Sequence, residues 1–139
     1  MELSYQLLAG AVGGLASVLL LGLAAPLIVR LGAFTPGIWR QTSATWQIAH
    51  ASIQMLAGVG LGLLFWLSWG LAAVVNIDWW QRGAVFSAVT WAVLAIPVLI
   101  ANAISVQVEW RAALVTIIEW LCTALCAGLA CSWVWTRSM

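Results

Sequence analysis

The chain has 139 residues, 65% of them hydrophobic and 6% charged, with a net charge of +1 and a mean hydropathy of +1.08. So little polar surface excludes an ordinary soluble domain and places the chain in lipid as one compact membrane unit, residues 1–139. There is no lysine, no basic patch and no charged tail, which argues against nucleic acid as a partner.

A helix needs about 20 apolar residues to cross a hydrocarbon core of about 30 Å. Four stretches qualify: 7–29, 48–75, 83–104 and 112–135. The first six residues lack the positive region of a secretory signal, so the first run is expected to stay as a span. The connection 30–47 contains Gly32 and Pro36-Gly37 and has room to lie along the interface. The connection 76–82 is short, and Asp78 with Gln81 three residues on reads as a capping box opening the third helix. Spans two and three are therefore expected to form a close antiparallel pair, and an even number of spans puts both termini on one side.

The chain is tryptophan-rich. Trp39, Trp46, Trp79, Trp80, Trp110, Trp133 and Trp135 sit at span ends, where an amphipathic ring favours the headgroup layer, while Trp66, Trp69, Trp91 and Trp120 lie deeper. Gly10-x-x-x-Gly14, Gly58-x-x-x-Gly62 and Ala124-x-x-x-Gly128 let helix backbones approach closely, within the bundle or between copies. Cys122, Cys126 and Cys131 all fall in the last span and read as small packing residues. At an offset of 71 residues, Leu23-Ala24-x-Pro26 aligns with Leu94-Ala95-x-Pro97, and Trp39-Arg40 with Trp110-Arg111. This pattern implies two helical hairpins related by a parallel internal repeat about an axis along the membrane normal. Pro97 deprives the Val93 carbonyl of its helical donor and allows a kink, as Pro26 does for Gly22.

Polar residues at membrane depth gather towards the side of the first and third connections: Arg30, His50, Gln54, Asn102 and Glu119. That half of the bundle is expected to be polar inside, and the half holding Trp66, Trp69, Cys126 and Cys131 nearly dry. A carboxylate in hydrocarbon costs several kcal/mol unless paired or protonated, so Glu119 should face inward, with Arg30 or His50 as partner by depth. Two roles fit it: a hydrogen-bonded knot that holds the helices in register, or a protonatable site for a small ligand or proton. One histidine does not supply the two axial imidazoles of a bundle haem, and three cysteines without a second histidine make no zinc pattern, so neither cofactor nor metal is expected. No nucleophile motif, phosphate loop or glycine fingerprint supports an enzyme.

The apolar span carrying Pro97, then Asn102, the turn with Glu109-x-Arg111 and the last span with Gly128 resemble the small four-span membrane proteins called domain of unknown function 1761. The resemblance covers mainly the second half. It departs from the family pattern at Ala24-Ala25, where an aromatic pair is expected before Pro26, and in the longer spacing from Asn102 to Glu109. It implies a fold without an established activity.

The sequence thus predicts an all-α, polytopic four-helix bundle in a bacterial-type inner membrane. Arg30, Arg40 and Arg111 on one side outnumber Arg82 and Arg137 on the other, which places the termini outside. The expected function is a non-catalytic module that packs in the bilayer against copies of itself or another membrane protein. The alternative is a small transporter or permeation protein with a polar half-cavity around Glu119.

Overall fold

Helices form wherever apolar residues run unbroken for a bilayer's thickness. The computed structural model describes residues 3–30, 44–68, 78–106 and 110–137, with the side chains of 24–30, 44–47 and 112 outside that set. They fold as α1 (Leu3–Arg30), α2 (Ala44–Leu67), α3 (Trp79–Val106) and α4 (Trp110–Arg137), each with a segment long and apolar enough to cross a membrane. No strand occurs among the described residues, and the architecture is the expected four-helix bundle. Asp78 caps α3 in a capping box, its backbone N–H donating to Gln81 Oε1 at 3.3 Å. Pro26, Trp39 and Trp46, expected as kink, repeat or anchor residues, and the deeper Trp69 lie outside the described residues or side chains.

Contact between α1 and α2 is the most extensive in the bundle, and glycine makes it possible. A Cβ on Gly10 would collide with the carbonyl oxygen of Gly58, one on Gly58 with the carbonyl oxygen of Gly10, and those on Gly14 and Gly62 with the carbonyls of Gln54 and Gln6. Both small-residue motifs thus meet face to face in an antiparallel crossing. Helix α1 also lies on α4, where Gly13 meets the backbone of Cys126 and Ala127. The α3–α4 hairpin closes in the same way around Gly83 and Gly128.

The expected close pairing of spans two and three does not form. Helices α2 and α3 touch through the Phe65 and Phe86 rings, whose centroids are 5.0 Å apart, and otherwise their backbones hardly meet. Residues Trp91–Ala95 form a π-turn, with the Ile96 N–H donating to the Trp91 carbonyl. Widening the helix by one residue just before Pro97 relieves the clash of its ring with the preceding turn. Beyond it, Ile96–Val106 buries no residue. A strict two-fold repeat would make the α2–α3 contact match the α1–α4 contact; here α1 and α4 pack closely while α2 and α3 part.

The apolar core sits at the Trp79 end: Ala9, Phe65, Phe86, Cys131 and Trp135, with Trp66 packed against them. Trp135 is therefore a core residue rather than a headgroup anchor, its ring edge-on to Phe65 at 6.0 Å. Trp79, Trp80, Trp110 and Trp133 are exposed at helix ends, and the guanidinium groups of Arg111 and Arg137 lie over the Trp110 and Trp133 rings.

Candidate functional site

The parallel neighbours α2 and α4 bring His50 level with Glu119 and Gln54 level with Thr123. His50 Nε2 stands 2.5 Å from Glu119 Oε1, and Gln54 Nε2 donates to the same oxygen at 3.2 Å. The Thr123 hydroxyl donates to Gln54 Oε1 at 2.7 Å. Ser17 Oγ from α1 lies 3.1 Å from Thr123 Oγ1 and donates to the Gly14 carbonyl at 2.7 Å. A hydroxyl carries one proton: Thr123 gives its own to Gln54 Oε1 and accepts at Oγ1 from Ser17, whose single proton is shared between Thr123 and the Gly14 carbonyl. The result is a hydrogen-bonded chain running His50, Glu119, Gln54, Thr123, Ser17 and joining three helices.

Gln54, Thr123, Ser17 and Glu119 are buried, while the His50 side chain is 22% exposed, so the chain opens only at the His50 end. Its inner end is closed. Ser17 sits midway along α1, and the next buried polar residue on that helix, Gln6, is about 16 Å further on. Gly10, Gly13 and Gly14 fill the interval with backbone contacts to α2 and α4.

Of the five residues expected to cluster, the structure joins His50, Gln54 and Glu119. The Arg30 side chain lies outside the described residues. Asn102 is not brought to Glu119. The α3–α4 pairing sets Trp91 beside Ile117, where the indole N–H donates to the carbonyl at 2.9 Å, and Asn102 is about 16 Å further along α3. It is exposed and lines an open groove of about 560 Å³ between α2 and α3.

Thr123 and Ser17 are members of the chain that the sequence reading missed. Thr123, one helical turn from Glu119, carried a usable signal; Ser17 carried none. The half expected to be nearly dry also buries polar groups. Ser132 donates to the Trp79 carbonyl at 2.6 Å, Ser87 shares its one proton between the Ala124 and Gly83 carbonyls, each at 2.7 Å, and Gln6 Nε2 donates to the Cys131 carbonyl at 3.3 Å. Each of these groups bonds to a helix carbonyl, so a small polar side chain sits in an apolar interface without an exposed partner.

Thr123→Val keeps the shape and removes the donor to Gln54 Oε1. It should lower stability by about 1 kcal/mol, read from denaturant unfolding in detergent, and Thr123→Ser should recover most of it. Equal stability of the valine variant and the wild type would mean that the chain does not hold the bundle. No group of three or more metal-ligating side chains occurs among the described residues. No family model, no curated protein and no solved structure matches the chain.

Proposed function

We propose that this protein is a non-catalytic membrane module that packs against other copies or another membrane protein, with the His50–Glu119 chain as its internal brace. One observation carries this reading: among the described residues the hydrogen-bonded chain ends at Ser17 against glycine-packed helices, and none of its bonds reaches the buried Ser87, Ser132 or Gln6 of the other half. In liposomes under an imposed proton, sodium or potassium gradient, the protein is expected to leak no faster than empty vesicles. Cross-linking in intact membranes should give discrete adducts that contain this chain. Gradient-driven flux, or the lack of any adduct, would sink the proposal.

The partial exposure of His50 favours a second reading, in which a proton or small ligand reaches Glu119 from one side. Glu119→Gln separates the two. As a brace, the residue should lose folding yield on amidation, with no binding to lose; as a binding site, it should fold normally and lose pH-dependent binding or flux.

We place the protein in a bacterial-type inner membrane with its termini outside, on the arginine excess at Arg30, Arg40 and Arg111. Reporter fusions after Arg40 and after Arg111 should report the cytoplasm and a fusion at Arg137 the outside. The opposite signals would invert the orientation. The resemblance to the domain of unknown function 1761 family rests on Pro97, Asn102, Glu109, Arg111 and Gly128 and adds no activity of its own.

A further inference from the structure

A groove lies between α2 and α3, with Trp120 and Ala124 of α4 also lining it. The π-turn before Pro97 lies in its wall, where Trp91 is pinned by its bond to the Ile117 carbonyl. The groove's volume of about 560 Å³ falls in the range of roughly 300–1,000 Å³ typical of ligand sites. In a membrane-spanning bundle such a cleft opens sideways into hydrocarbon. Left empty, its lining would lose dispersion contacts along one whole side.

The lining defines what fits. Leu61, Leu64, Leu94 and Val98 make an apolar channel with Trp120 beside it. Two of the polar groups are already engaged: the Thr90 hydroxyl donates to the Phe86 carbonyl at 2.8 Å, and the Trp91 indole N–H is the one bonded to Ile117. The Asn102 amide, four residues from the end of α3 at Val106, is left to face an occupant. From Asn102 to Thr90 the groove runs about 18 Å along the helix, close to the thickness of one leaflet's hydrocarbon, about 15 Å. An occupant must therefore be hydrocarbon for one leaflet's depth and carry a hydrogen-bond acceptor at its outer end. An ester-linked fatty acyl chain has that pattern.

We propose that the groove seats one acyl chain of a bilayer phospholipid, from the leaflet at the Val106 and Trp110 end, with its ester carbonyl accepting from Asn102 Nδ2. The site is independent of the His50–Glu119 chain and of the packing role proposed above.

The test uses the full chain in vesicles of phosphatidylglycerol and phosphatidylethanolamine doped with a phosphatidylcholine that carries a diazirine midway along one acyl chain. After photolysis, labelling of Leu61, Leu94 and Val98 should exceed that of Leu19 and Leu23, which are exposed on α1, by about tenfold, the occupancy ratio that 1.4 kcal/mol of preference confers. Ala57→Phe with Ala95→Phe fills the groove and should bring its labelling down to the α1 level. Asn102→Leu, at an exposed position, should cut groove labelling several-fold even if the filled variant fails to fold. Equal labelling of groove and α1 surface, or labelling unchanged by Asn102→Leu, would overturn the proposal. So would photo-cross-links joining the groove residues of two copies, which would assign the groove to a second protein chain.

Discussion

Gly58→Val should strongly disrupt the bundle, because the added Cβ lands on the carbonyl oxygen of Gly10, which is backbone and has no rotamer to escape into. Overpacking against side chains typically costs 1–3 kcal/mol. Here α1 and α2 must separate along their whole crossing, so a loss of about 3 kcal/mol or more is expected. Gly60→Val supplies the control, since a Cβ there meets nothing within 4 Å; it should be near neutral in the same helix. Because Gly10 and Gly58 block each other reciprocally, Gly10→Val should behave like Gly58→Val, and the double variant should lose less than the sum of the two. Thermal unfolding in detergent, followed by circular dichroism, measures all four. If Gly58→Val and Gly60→Val prove equally mild, the close crossing is wrong.

Glu119→Leu should be the most damaging change in the polar chain. It takes from His50 Nε2 and Gln54 Nε2 their shared acceptor and leaves the Gln54 amide buried against apolar side chains. A buried group deprived of its partner costs 1–3 kcal/mol, and hydrogen bonds between membrane helices average less, so a loss of about 2 kcal/mol is expected. Glu119→Gln keeps an acceptor at the same place and should cost about half as much. A double-mutant cycle with His50→Leu isolates the pair: strong coupling, with the second substitution adding little to the first, marks one interacting unit. Strict additivity would mean that His50 and Glu119 do not act on each other in the folded protein.

Much of the architecture was legible because lipid imposes a one-dimensional rule. Every backbone polar group must be satisfied within its own helix, so span number and approximate span position follow from run lengths of apolar residues. The capping box at Asp78 and the small-residue motifs on α1 and α2 were readable for a similar reason, since turn chemistry and close helix approach depend on a few adjacent positions. Burial cost also pointed to Glu119 and His50, because a titratable group at membrane depth must find a partner.

What the sequence left open was decided by which helix faces meet. The short connection 76–82 suggested that α2 and α3 would pair closely, yet their backbones hardly meet and a groove lies between them. Ser17 joined the polar chain only through the α1–α4 packing, and Asn102 missed it because the α3–α4 register sets Trp91, not Asn102, near the level of Glu119. Trp135 sits one helical turn from a chain end in sequence but in the core in space, because Phe65 and Phe86 converge on it from two other helices. Helix rotation and register arise from side-chain packing among residues distant in sequence, whereas hydropathy measures only how deep each residue lies.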